Sequence, residues 1–122
     1  ILGISVDKPA QELSETIAGI ANAGAELLQL ETRFHPEEIL VNDAYCSAGY
    51  GVLTAAEKEA ILLFARQEAI LLDPVYTGRA AAGLVDLIRH GFFKADEKVL
   101  FWHTGGTPAL FAEPYRGALV KH

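Results

Sequence analysis

The chain holds 122 residues, 51% of them apolar and 21% charged, enough for one compact domain with a core and too few for two. Its formal charge of −6, with ten Lys and Arg scattered and no basic stripe among them, argues against a polyanion-binding surface, so no nucleic-acid partner is expected. No apolar run approaches the roughly 18 residues of a membrane-spanning helix, the first segment lacks a basic start and cleavage site, and Cys46 has no second cysteine to pair with; a soluble, cytoplasmic protein without a membrane partner is expected.

The chain opens at Ile1, contains no Met, and begins Ile-Leu-Gly-Ile-Ser-Val, a pattern of a buried strand rather than a loose terminus. The expectation is a piece of a longer protein. Asp7 is placed to cap a helix and Pro9 suits its first turn, with Leu13, Ile17 and Ile20 at helical spacing, so a helix is predicted from about 9 to about 30. A charged loop at 33–38 precedes a brief strand at Ile39–Val41. Residues 42–53, with glycines on either side of Tyr50, predict a structured loop. Thr54 and Glu57 form a capping box for a helix that carries Ile61, Phe64 and Ala65 and runs to about Glu68.

Ala69–Leu72 predicts a short buried strand that Asp73-Pro74 ends, and 75–78 a turn. From Arg79 the pattern Ala80, Leu84, Leu87 and Ile88 is helical, with Gly91 in place to stop it. Val99–Trp102 predicts a buried strand, which runs into the glycine loop 103–107 and a last short helix through Phe111. Strands and helices in alternation predict an α/β fold with a mainly parallel sheet and flanking helices. In such sheets ligands collect beyond the carboxyl ends of the strands, which singles out the loops at 75–78 and 103–107.

Thr104 and the two glycines after it can present a hydroxyl and backbone amides to an anion or a cofactor heteroatom, or can simply turn a strand into a helix. The loop matches neither the Walker phosphate pattern nor the dinucleotide glycine pattern. Tyr76 reads as a ligand-facing ring or as a plug on the sheet, and Tyr50 as a positioned side chain or an exposed loop aromatic. His103 reads as a base or as a structural histidine at the edge of the core. His35, His90 and His122 have no ligand spacing with one another or with Cys46, so no metal site is expected. Cys46 is a small loop residue, no Gly-x-Ser-x-Gly elbow exists, and Glu37-Glu38 fits a solvated surface.

Three stretches, Ala48-Gly49-Tyr50-Gly51-Val52-Leu53-Thr54, Ile70-Leu71-Leu72-Asp73-Pro74-Val75-Tyr76-Thr77-Gly78-Arg79-Ala80 and His103-Thr104-Gly105-Gly106-Thr107-Pro108-Ala109-Leu110-Phe111, stand in an order and spacing that strongly resembles the C-terminal part of the D-cysteine desulfhydrase and 1-aminocyclopropane-1-carboxylate deaminase family. The resemblance implies a tryptophan-synthase-β-like, fold type II enzyme dependent on pyridoxal 5'-phosphate, and it covers nearly the whole chain. It implies that Tyr76 packs on the cofactor ring, that Tyr50 reaches towards the substrate, and that Thr104, with Gly105 beside it, meets the pyridine nitrogen. Thr77 falls at a cofactor position where the deaminase branch carries a glutamate. A hydroxyl leaves the pyridine nitrogen neutral, which suffices for β-elimination, whereas a carboxylate favours the protonated ring that cyclopropane opening needs.

The implied reaction is therefore that of the desulfhydrase branch, D-cysteine to pyruvate, ammonia and hydrogen sulfide. Alternatives within the family are the cyclopropane deaminase and a cysteate-type lyase; outside it stands a non-catalytic remnant of the fold. The family's Schiff-base lysine and phosphate loop lie upstream of the matching region, and none of Lys8, Lys58, Lys94, Lys98 or Lys121 stands in a matching context. The expectation is a single partial domain over 1–122, inactive alone, with a small amino-acid substrate and a homodimeric state for the intact enzyme.

Overall fold

The computed structural model describes residues 1–120; Lys121 and His122, named above among the lysines and histidines, lie outside the described residues. The chain gathers into two compact units, Ile1–Ser47 and a second that begins at Ala48.

The first unit is a strand–helix–strand. Strand β1 (Leu2–Ile4) and strand β2 (Leu40–Asn42) pair in parallel, with Leu2 opposite Leu40 and Ile4 opposite Asn42. Parallel partners need a long crossover, and helix α1 (Ala10–Leu27) supplies it. The helix starts at Ala10 after Pro9, without the predicted cap from Asp7; its first amide instead donates to the Asp43 carboxylate at 2.7 Å. A carboxylate just past the end of β2 does the work of a local cap and binds strand to helix.

The buried face of α1 also differs from the one predicted. Ser14, Ala18 and Ala25 are buried, Leu13 and Ile17 are half-buried, and Ile20 is 68% exposed. Small side chains let the helix lie close to its neighbours, which tilts the larger residues of the stripe outward. The side-chain amide of Asn22 accepts from the Phe34 amide at 2.8 Å and donates to the Phe34 carbonyl at 2.9 Å, so the return loop is pinned to the helix before a 3-10 turn at Pro36–Glu38.

The second unit is built on helix α2 (Ala55–Glu68) and helix α3 (Thr77–Arg89). The capping box of Thr54 and Glu57 is present as the sequence predicts: the Thr54 amide donates to Glu57 Oε2 at 2.9 Å, and the Ala56 amide donates to Thr54 Oγ1. Helix α3 begins two residues before Arg79, and Gly91 follows its end with φ +69° as predicted. The core consists of Ala60, Ile61, Leu72, Ala81 and Ala82, flanked by Leu53, Phe64, Phe101, Leu110 and Leu119. The rings of Phe64 and Phe101 lie 5.4 Å apart. Gly78 is required where the helices meet the turn before α3, because a Cβ there would stand 2.5 Å from the Asp73 carbonyl oxygen.

Two predicted strands are not strands. Ala69 closes α2 in the left-handed conformation (φ +55°), and 70–72 runs on without strand pairing although Leu72 is fully buried. Val99–Trp102 likewise lies in no strand, with Leu100 82% and Trp102 77% exposed. An apolar run with a β-branched or aromatic residue raises the tendency to extend, but a strand exists only where a neighbour accepts its hydrogen bonds. The last predicted helix is a 3-10 turn at Thr107–Phe111, followed by the short helix α4 (Tyr115–Val120).

Burial predicts opposite outcomes for two leucines. Leu72→Ala is expected to cost about 2–5 kcal/mol and Leu100→Ala within about 0.5 kcal/mol, as measured by urea denaturation.

Candidate active site

The site grows from one turn. Asp73 is fully buried where the chain leaves the core at Leu72. Its Oδ2 accepts from the amides of Val75 and Tyr76, each at 2.8 Å, and its Oδ1 accepts from the Thr77 amide at 2.6 Å and the Thr77 hydroxyl at 2.7 Å. The Thr77 oxygen in turn accepts from the Asp73 amide at 2.8 Å, and the Gly78 amide donates to the Asp73 carbonyl at 2.8 Å. The first amides of α3, which have no partner within the helix, thereby find one. Burial pushes the Asp73 carboxyl up, but the hydrogen bonds from Tyr76, Thr77 and Val75 outweigh it and hold the group below the ordinary carboxylate value.

This turn aims Tyr76 outward at the N-cap of α3, with 47% of its surface exposed. The Tyr76 hydroxyl is hydrogen-bonded to that of Tyr50, and the two rings meet edge to face with centroids 6.0 Å apart. Two tyrosines 26 residues apart in sequence thus form one phenol pair.

The glycine loop reaches the same turn from the other side. Gly106 has φ +90°, and a Cβ on it would lie 2.7 Å from Asp73 Cγ, so only glycine lets the loop rest on the carboxylate. His103 fastens the loop: its Nε2 donates to the Leu71 carbonyl at 3.0 Å, while its Nδ1 accepts from the Gly105 amide at 3.0 Å. A carbonyl only accepts and an amide N–H only donates, so these two bonds together define the neutral Nε2–H form. His103 is a staple here, and the Thr107 hydroxyl also donates to Leu71 at 3.3 Å.

The predicted site residues therefore divide. Tyr50 and Tyr76 are joined, and the exposed Thr104 is carried on the loop that rests on their turn. The Thr77 hydroxyl is buried and both gives and receives a hydrogen bond within the Asp73 turn. The Gly105 amide is already given to His103, so that residue offers space rather than a donor.

Sequence reasoning passed over Arg79 and Glu57 as a pair. Arg79 is fully buried, and its Nε donates to Glu57 Oε1 at 2.8 Å while its two terminal nitrogens donate to the carbonyls of Gly49 (3.1 Å) and Val52 (2.8 Å). Burial raises the Glu57 carboxyl, but the hydrogen bonds from Thr54 and Arg79 prevail and keep it below the ordinary value. The only sequence signal was the Thr54–Glu57 capping box, which explains Glu57 without Arg79.

Both carboxylates are depressed in the folded state, so each contributes stability in full above the ordinary value, 3.8 for Asp73 and 4.5 for Glu57, and loses it as pH falls through the folded value. The urea midpoint is expected to be flat from pH 7 to about 5 and to drop below about pH 4. Asp73→Asn keeps the size but sets an NH2 against amide donors, and is expected to cost about 1–3 kcal/mol at pH 7 with a shallower acid limb in the same titration.

No family model matches the chain. Over 115 residues it is 39% identical to a 1-aminocyclopropane-1-carboxylate deaminase of Rhizobium leguminosarum bv. viciae, a match that takes in 94% of this chain and 34% of that protein. Its fold matches a crystal structure described as an ACC deaminase homologue with a TM-score of 0.80 and 34% identity, over 98% of this chain and 34% of that one. The chain thus spans about one third of the length of the relatives it matches. Identity of this order over 94% of the chain, together with the same mixed α/β fold with parallel strands, makes the chain a homologue of about one third of a 1-aminocyclopropane-1-carboxylate deaminase family protein.

Proposed function

We propose that this chain forms one wall of the active site of a pyridoxal-phosphate-dependent lyase that eliminates sulfide from D-cysteine, giving pyruvate and ammonia. One observation supports the proposal: the position that the resemblance matches to the pyridine nitrogen carries an exposed hydroxyl, Thr104, and the position after the cofactor tyrosine carries Thr77 rather than a carboxylate.

The residues present fit the ring of the cofactor by the chemistry of their donors. Tyr76 offers a half-exposed aromatic face, Thr104 a hydroxyl that suits a neutral pyridine nitrogen, and Gly105 a position where even an added Cβ would meet nothing within 4 Å. Pyridoxal phosphate, when bound, supplies the electron sink that stabilises charge at the α-carbon of an amino acid. The chain's own contribution is placement and proton handling. The hydroxyls of Tyr50 and Tyr76 are hydrogen-bonded to each other on two partly exposed rings, so the pair offers a hydroxyl that can hand a proton to a substrate atom or take one from it. With a thiol as leaving group, proton delivery to sulfur and a neutral ring suffice, which supports D-cysteine over a cyclopropane.

The name of the Rhizobium relative favours a second reading, deamination of 1-aminocyclopropane-1-carboxylate. The full-length protein that bears this chain, loaded with pyridoxal phosphate, is expected to release sulfide and pyruvate from D-cysteine and to leave the cyclopropane amino acid unchanged. Release of 2-oxobutanoate from the latter, with no sulfide from D-cysteine, reverses the assignment. Tyr76→Phe is expected to lower kcat by about 10²-fold or more and Thr104→Val by about tenfold, both measured by sulfide release.

A further inference from the structure

Tyr50 occupies a loop that has no regular secondary structure, yet its hydroxyl meets Tyr76 in a hydrogen bond. Something outside the loop must set its position, because a free loop of this length samples many conformations. Three hydrogen bonds hold the backbone next to Tyr50. Arg79 donates to the carbonyls of Gly49 and Val52, one on each side of the tyrosine, and the Tyr115 hydroxyl donates to the Gly51 carbonyl at 2.6 Å.

Arg79 differs from Tyr115 in being itself rigid. It is fully buried, its third nitrogen is tied to Glu57, and it stands on α3 three residues after Tyr76. One helix therefore holds both phenols: Tyr76 through its own N-terminus and Tyr50 through a guanidinium one turn further on. Building on the lyase reading above, we propose that Arg79 is a positioning residue, which sets the Tyr50 hydroxyl against that of Tyr76 by clamping the carbonyls of Gly49 and Val52. Arginine suits this role and lysine does not, since only the planar fork can reach a carboxylate and two carbonyls at once.

The test uses the full-length protein with tyrosine ring labels. Arg79→Lys preserves the charge opposite Glu57 and removes the fork. The proposal expects a shift of the Tyr50 and Tyr76 ring resonances, a kcat on D-cysteine lowered about tenfold to a hundredfold with little change in KM, and no further loss when Arg79→Lys is added to Tyr50→Phe. Arg89→Gln, which breaks the exposed pair with Glu59 at the other end of α3, is expected to move neither the resonances nor kcat.

Unmoved tyrosine resonances in Arg79→Lys, or equal losses from it in the presence and absence of the Tyr50 hydroxyl, overturn the proposal. Should Arg79→Lys fail to fold, Glu57→Gln loosens the anchor and keeps the fork. It is expected to shift the Tyr50 resonance in part, and an unmoved resonance is again the overturning result. If the unaltered protein turns over no D-cysteine, the lyase reading fails by itself and the ring resonances still decide the role of Arg79.

Discussion

Everything at the candidate site depends on the burial of one carboxylate. Asp73 accepts four hydrogen bonds, from three successive amides and a hydroxyl, and a buried carboxylate is tolerable only when it is satisfied in this way. The arrangement starts α3, turns Tyr76 out of the core and leaves a flat surface on which Gly106 can rest. A longer or neutral side chain at 73 would disturb all three at once, since each uses the same two oxygens or the carbon between them.

The second buried charge pair secures what the first leaves loose. Arg79 and Glu57 are both buried, and pairs of this kind gain little over apolar residues of equal volume, whereas removal of one partner costs about 3–5 kcal/mol. Their value is geometric. Glu57 is also the capping residue of α2, with Thr54 bound to it, so the pair ties the start of α2, the first turn of α3 and the loop of Tyr50 into one rigid body. Exposed pairs such as Lys8 with Glu12 and Arg89 with Glu59 have no comparable role, because solvent screens them.

The chain keeps many apolar side chains in contact with solvent, among them Leu100, Trp102 and Phe111. Leu100 and Trp102 stand on the segment before the glycine loop, and Phe111 on the 3-10 turn after it. The Asp73 hub itself is nearly solvent-free. Order at the site therefore comes from polar satisfaction inside a small core of alanines, one isoleucine and one leucine, not from the bulk of the apolar sequence.

Elements marked by local chemistry were legible in the residues alone. The Thr54–Glu57 box, the Gly91 stop and the positions of two brief strands need only neighbours within a few positions, although the opening strand is partly exposed rather than buried as expected, and the three motif stretches carried the family. What sequence left open were matters of distant partners. The Asp43 carboxylate rather than Asp7 caps α1 from 33 residues away, and the segments at 69–72 and 99–102 have no strand beside them, which no periodicity can report. Thr77 turned inward because Asp73 offered its hydroxyl a closer acceptor, and His103 proved a staple because Leu71 and Gly105 stand at its two nitrogens. Residue order already contains the turns and caps, since propensity and capping act over a single helical turn. Tertiary structure alone decided which hydroxyls face outward and which are spent inside, because a hydrogen bond goes to whichever partner the fold brings within 3 Å.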